Sequence, residues 1–570
     1  MTRKPPVRPL GGDRTRLQRR ARRAVLSFVL LAAALAPRPA LGAAKRVGPA
    51  LSSATPCVIP GQGSRALDSE ATVSHCAPPD VDFDARERPP LEAAAQEVVF
   101  AAASVSEAPS QLQQSAAALV GGGYAVVWET GDYPGRDVGM QWLRADGSFV
   151  FPPGGVLVAK AAADEADAVV VANSAGGAYV AFRRETGGGP AQVFVQSFDA
   201  NGAPKWPGDG VAGSDLIPNE VQQHPNLVAR PAGGVFVCFE GFSFVYAHDV
   251  RCQLLDAGVR QWTAFGQSVG GSGWRVLPRM VSDGGDGLLA FWRNHHDPFN
   301  GPVEPMVMEG QHFSAAGARL WGPQAKVLRT TNLADASSHD YRFFNVTSDG
   351  SGGAVLAFND WDGTSIEGLD VFAQRVAADG SLPWGAGGVV VSAADPTETQ
   401  EITIGTGDGG AYVGVMVWLS GSHSELRLFK LDAAGAHLWA ESGVLISDPS
   451  AAFLDYDLRG WIADGLLRLA WTHQYSSSFE MDAQLAGYTV GGERLGGPAG
   501  IPLTTAAGAQ FVRGLVASAS STLAVWDDMR SGTFDNLDVI GATLADGAWL
   551  GLFADGFESG GIAAWAGAQP

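Results

Sequence analysis

Charge is scarce in this 570-residue chain. Only 17% of its side chains are Asp, Glu, Lys or Arg, and the acidic ones outnumber the basic ones 59 to 39. A net charge of −20 excludes the basic footprint that nucleic-acid binding requires. Cysteine is nearly absent, with four residues and no C-x-x-C or Cys/His cluster, which excludes a zinc-held architecture. No apolar run after the first 42 residues approaches the length of a bilayer-spanning helix, so no integral membrane segment is expected beyond that point. Helical 3.6-residue periodicity is missing from the repetitive middle of the chain. No Gly-x-Ser-x-Gly elbow sits in a strand–turn–helix setting. The sialidase pattern Ser-x-Asp-x-Gly-x-x-Trp also fails, because tryptophan here follows glycine by four positions instead of three.

Glycine and proline are abundant, at 74 and 33 residues, while 46% of the chain is hydrophobic. That combination favours turn-rich β structure over disorder. The chain is too long for one ordinary core, but repeat architectures escape that limit because each unit packs on its neighbours.

Residues 1–42 read as a signal peptide. Arg14, Arg16, Arg19, Arg20, Arg22 and Arg23 precede an apolar run from Ala24 to Ala36, and Ala40-Leu41-Gly42-Ala43 supplies the small residues of a cleavage site. Export predicts a secreted, periplasmic or cell-surface location. Residues 43–96 form a Pro/Ala/Ser-rich leader or linker, 97–550 a repeat region, and 551–570 a tail. Two cysteine pairs are candidate disulfides in an oxidising compartment: Cys57 with Cys76 in the leader, and Cys238 with Cys252 on two neighbouring strands.

The repeat is the dominant signal. Gly352-Gly353-Ala354-Val355-Leu356-Ala357-Phe358 leads to Asp370-Val371-Phe372-Ala373-Gln374-Arg375-Val376, then to Asp379-Gly380 and Trp384. The same order recurs from Gly176-Gly177 through Phe182, Gln196 and Asn201-Gly202 to Trp206. The aromatic ending the first run recurs at Trp128, Phe182, Phe239, Trp292, Phe358, Trp418, Trp471 and Trp526. Glutamine marks the next strand at Gln141, Gln196, Gln253, Gln311 and Gln374. A glycine four residues before a tryptophan recurs at Gly202/Trp206, Gly258/Trp262, Gly317/Trp321, Gly380/Trp384 and Gly435/Trp439. Each unit reads as four short strands joined by Gly-containing turns.

Such units predict an all-β fold, a single β-propeller of about eight four-stranded blades, or seven if a degenerate late unit is something else. The eighth unit lacks a clear fourth strand, and Glu97-Val98-Val99-Phe100-Ala101 resembles one. The N-terminal strand is therefore expected to complete the last blade and remove its unpaired edge.

The pattern Gly-Gly-Ala-x-Val-Ala-Phe/Trp, Asp-Val-x-x-Gln-Arg, Asp-Gly-x-x-x-Trp resembles a repeat of uncharacterised secreted bacterial β-propeller proteins. The Asp555-Gly556-Phe557-Glu558-Ser559-Gly560 segment, with Trp565 after it, is similar to a tail of other exported bacterial proteins. The resemblance implies architecture and export, and it is silent on activity.

The loops after the second strand break the pattern and are the candidate ligand face. They carry Asp132 and Arg136; Arg183 and Arg184; His295, His296 and Asp297; Asp360, Trp361 and Asp362; His473 and Tyr475; and Asp527, Asp528 and Arg530. Asp, Arg, His and aromatic groups in this mixture suit a carbohydrate or a cation, and equally a solvated rim of Asp–Arg pairs. Asp360-Trp361-Asp362-Gly363 and Asp283-Gly284-Gly285-Asp286-Gly287 have part of a calcium-loop rhythm without its full ligand spacing. His295-His296-Asp297 lacks a partner for a metal. The repeat tryptophans would stack on sugars or, more simply, pack between blades. The expectation is a monomeric, non-enzymatic propeller without a cofactor, binding a glycan or a protein through one face. A polysaccharide-acting hydrolase or lyase and a structural envelope module are the alternatives.

Overall fold

The computed structural model describes residues 95–99 and, with several loops left out, residues 111–545. The chain divides into two units, residues 1–90 and 91–570, and the described residues all belong to the second. The expected signal peptide, nearly all of the leader with Cys57 and Cys76, and the tail lie outside them.

Eight antiparallel sheets follow one another along the chain, and no helix occurs among the described residues. Blades 1 to 8 begin at Gln111, Asp164, Glu220, Trp274, Phe344, Glu398, Leu454 and Gln510. Within each blade the strands pair in sequence order, and the fourth is short in most. Blade 8 takes its outer strand from the other end of the chain: Ala95–Val99 pairs with Asp538–Ala545, from Ala95 opposite Leu544 to Val99 opposite Ile540. That is the closure expected from the sequence, begun two residues earlier. The first strand of every blade touches the first strands of both neighbours, blade 8 against blade 1 included. The ring is closed, with the first strands innermost.

The second strands sit mid-blade and are buried on both faces. Leu466–Gln474 and Ser521–Asp528 are buried at every position. This explains why their sequences read as continuous apolar runs instead of alternating ones. In blade 6 the structural equivalent of the recurring aromatic is Val415, not Trp418. Val415 stands five residues after Gly410, as Phe358 does after Gly353, and it pairs with Gln400 and Arg427. Trp418 lies three residues further along the same strand.

The glutamines of the third strand are staples. Gln141, Gln196, Gln253, Gln311 and Gln374 are all fully buried. In Gln196, Oε1 accepts the N–H groups of Ser197 (2.9 Å) and Trp206 (3.0 Å), while Nε2 donates to the carbonyls of Trp206 (3.3 Å) and Gly208 (3.2 Å). One amide thus satisfies backbone groups that the irregular path to the fourth strand leaves without a ladder partner.

The repeat tryptophans pack between blades. Gly317 of blade 4 has φ +80° and lies over the Trp262 indole of blade 3, so close that a Cβ there would be 3.0 Å away. Trp262 Nε1 then donates to Ala315 O at 2.9 Å. Trp321 repeats the contact with Gly380 and Ala378 O, and Trp384 with Gly435 and Ala433 O. Each glycine supplies both a left-handed turn and a flat seat for its neighbour's indole.

One predicted disulfide is present. Cys238 and Cys252 are directly opposite one another on the second and third strands of blade 3 and are bonded.

Candidate functional site

In an antiparallel blade the end of strand two lies beside the start of strand one. The strand 2–3 loops and the blade-to-blade connections therefore emerge at one face of the ring, and the 1–2 and 3–4 turns at the other. The sequence-predicted residues that the structure describes lie at the first of these faces, but several are not in loops. Arg183 and Arg184 lie near the end of the strand Ala178–Glu185. Asp360 and Trp361 end Ala354–Trp361, His295 ends Leu288–His295, His473 lies within Leu466–Gln474, and Asp527 and Asp528 end Ser521–Asp528. The reason is pairing on both sides. Arg184, for example, faces Glu165 on one strand and Gln192 on the other, so the ladder continues past the aromatic.

Most of the described candidates are committed to fixed partners. Arg136, buried, meets Glu129 Oε2 at 2.9 Å and Asp164 Oδ2 at 2.7 Å, tying blade 1 to blade 2. Arg183 pairs with Asp167 (3.0 Å) and Glu185 (3.2 Å), and Arg184 with Glu165 (2.8 Å) and Asp209 (3.0 Å). Arg329 of blade 4 meets the fully buried Asp360 of blade 5 at 2.5 Å and covers the Phe372 ring. Arg513 bridges Asp527 (2.7 Å) and Asp457 (3.0 Å). Trp526 Nε1 donates to Asp528 Oδ2 at 3.0 Å. Asp132, His296, Asp297, Asp362 and Arg530, and the side chains of His295 and Trp361, lie outside the described residues.

Blade 7 differs. His473 Nδ1 is 2.7 Å from Asp455 Oδ1, which also accepts Trp471 Nε1 at 3.1 Å. The His473 ring meets Tyr475 edge-on, with centroids 4.5 Å apart. The Tyr475 hydroxyl donates to Asp482 Oδ2 at 2.7 Å and accepts Gln484 Nε2 at 3.1 Å. Tyr475 is 36% exposed at the edge of this buried group.

Sequence reasoning missed a recurring feature of the inner strands. In seven blades the pairing of strands one and two slips by one residue opposite the recurring aromatic or its equivalent. The first bulge residue has positive φ at Asp167, His224, Leu277 and Asp457, none of them glycine. In four cases the N–H at this bulge is accepted by the side chain that follows the aromatic in the preceding blade. The pairs are Asp167 with Glu129 (2.6 Å), Leu277 with Glu240 (2.5 Å), Gln400 with Asn359 (3.0 Å) and Val512 with Thr472 (2.9 Å). The available signal was the run of acceptor residues directly after the aromatics: Glu129, Glu240, Asn359 and Thr472.

Burial of these inner carboxyls raises several of them above the ordinary carboxylate range. Glu401 is pushed up to about 8 by burial and then by the neighbouring Asp457 carboxylate. Burial carries Glu165 up to about 7 against the pull of Arg184. Burial also raises Glu129 despite its contact with Arg136.

Where they are described, the aspartates of the two calcium-like stretches are engaged by protein groups. Asp283 Oδ1 accepts Gly285 and Gly287 N–H groups in its own turn while Oδ2 meets His312 Nε2 at 2.9 Å, and Asp360 is held by Arg329. Among the described residues no three His, Cys, Asp or Glu side chains are grouped to hold a metal ion. A cleft of about 200 Å³ opens at the opposite face, between Asp408, Tyr412, Lys430, Asp432 and Val490, away from the candidate face.

No protein-family description matches the chain, and no curated protein matches it. Solved structures do. A protein of unknown function from Dyadobacter fermentans is 9% identical over 58% of this chain and 97% of its own, with a TM-score of 0.34. The polysaccharide lyase Uly1 is 10% identical over 64% of this chain and 88% of its own, at 0.36. An exo-β-1,3-galactanase from Clostridium thermocellum is 13% identical over 77% of this chain and 93% of its own, at 0.28. Chemistry does not carry over at such identities.

Proposed function

We propose that the chain is an exported, non-enzymatic β-propeller that binds a glycan through the face bearing the strand 2–3 loops. One observation carries this reading: the described arginines at that face are locked into pairs with buried carboxylates, which makes a stiff polar platform. Binding proteins gain from such preorganisation, because fewer side chains must be ordered when the ligand arrives. The Cys238–Cys252 disulfide supports residence in an oxidising compartment. A glycan-array screen on the full chain tests the proposal, with a parallel screen for captured surface proteins. Binding to a protein partner with no glycan retained would replace the reading.

A second reading, a polysaccharide-acting hydrolase or lyase, is favoured by one contact. Asp455 holds His473 through Nδ1, the arrangement that orients an imidazole for proton transfer at Nε2. Release of reducing ends or of unsaturated products from a polysaccharide panel, abolished by His473→Ala, would establish it.

A further inference from the structure

We infer that the loop-face end of blade 7 is a subsite for an uncharged sugar ring, stacked on Tyr475 and hydrogen-bonded to the acceptors around it. The inference rests on the glycan-binding reading and names the class of glycan. Tyr475 is 36% exposed, whereas His473, Asp482 and Gln484 are buried. Its ring is fixed from two sides. The hydroxyl is held between Asp482 and Gln484, and the ring edge stands against His473, itself anchored by Asp455. A rigid, partly exposed aromatic with its polar end satisfied presents an apolar surface at little entropic cost, which suits the C–H face of a pyranose.

A second observation points to what the ligand must bring. Gln484 is 3% exposed, and the amide that donates to Tyr475 leaves its own Oε1 without a hydrogen-bond partner. Asp455 is fully buried, and its Oδ2 has no partner while Oδ1 is doubly engaged. Buried acceptors left unmatched are costly and mark a place where donors belong. Sugar hydroxyls donate. Carboxylate, sulfate and phosphate groups only accept, and they would face Asp482 and a chain whose net charge is −20. The chemistry selects neutral hexose units over uronates and sulfated sugars.

The test titrates the full chain with two sets of soluble polysaccharides: neutral β-glucan, mannan and galactan, and acidic alginate, polygalacturonate and sulfated galactan. The expected result is binding to at least one neutral polymer and to none of the acidic ones. Tyr475→Ala should weaken that binding about tenfold or more, and Tyr475→Phe, which keeps the ring, by much less. Asp482→Asn should weaken it as well, and melting temperatures near that of the parent confirm that each variant is folded. Neutral-glycan binding untouched by Tyr475→Ala would overturn the subsite while leaving the binding reading intact. A preference for the acidic set would overturn the assigned chemistry. Silence from both sets would overturn subsite and reading together.

Discussion

Glu129 Oε1 in blade 1 accepts the main-chain N–H of Asp167 in blade 2 at 2.6 Å, while its Oε2 takes the Arg136 guanidinium at 2.9 Å. One buried carboxylate thus caps a β-bulge in the next blade and anchors an arginine that reaches the same blade through Asp164. The bulge N–H has no ladder partner of its own, so the cap belongs to the blade interface. Glu129→Ala should lower stability by about 3 kcal/mol, since it strands both a buried guanidinium contact and a buried N–H. Glu129→Gln, which keeps an acceptor, should cost less. Urea unfolding of the two variants checks the order.

Gly317 should tolerate no side chain. Its φ of +80° and its seat on Trp262 predict that Gly317→Ala costs about 2 kcal/mol, combining left-handed strain with a clash. Gly387, with open space around it, is the control, and Gly387→Ala should leave the unfolding midpoint almost unchanged.

Gln374 should be irreplaceable by an apolar residue of similar size. Its Nε2 donates to Leu328 O and Gly385 O, and its Oε1 accepts Arg375 N–H. Gln374→Leu leaves these groups buried without partners and should cost about 3 kcal/mol. Denaturant midpoints of the variant measure it.

Glu401 sets a pH window. Its carboxyl is raised in the folded ring from 4.5 to about 8, so the folded state holds a proton that the unfolded chain releases. The stability tied to this group is fully present below about pH 4.5 and is lost as pH rises through 8. Glu165, raised to about 7, acts in the same direction over a narrower span. Glu401→Gln should flatten the decline in melting temperature between pH 5 and pH 8. An unchanged slope in the variant would remove Glu401 from the account.

The Cys238–Cys252 bond closes a separation of 14 residues between adjacent strands. Replacing both by Ala should cost about 3 kcal/mol by the loop-entropy relation, and reduction of the parent should reproduce that loss of denaturant resistance.

Much of the architecture was legible because it is local. The Gly-Gly and Asp-Gly turns, the apolar second strands and the glutamines recur in register, and chain order alone gives four strands per unit. The strand at Ala95–Val99 could be matched to blade 8 because the eighth unit stops one strand short. Trp418 misled because a tryptophan outweighs a valine in a pattern, while the ladder counts residues from Gly410 and finds Val415. The candidate face was legible in position and not in state. Arg136 was visible as a charge in a loop, but its partner Asp164 stands in the next blade, and Arg329 and Arg513 likewise find Asp360 and Asp457 in neighbouring blades.

The order of residues by itself determined the repeat, its β character, its turns and the need to close a ring, since each follows from backbone preference and from apolar faces that a lone unit cannot bury. Tertiary structure decided which charges are neutralised, which carboxyls keep their protons and that the bulges are capped across blades. Those properties depend on distance and dielectric between segments some 30 to 60 residues apart, such as Arg136 with Asp164 and Thr347 with Gly405, and only the packing of one blade on the next brings them together.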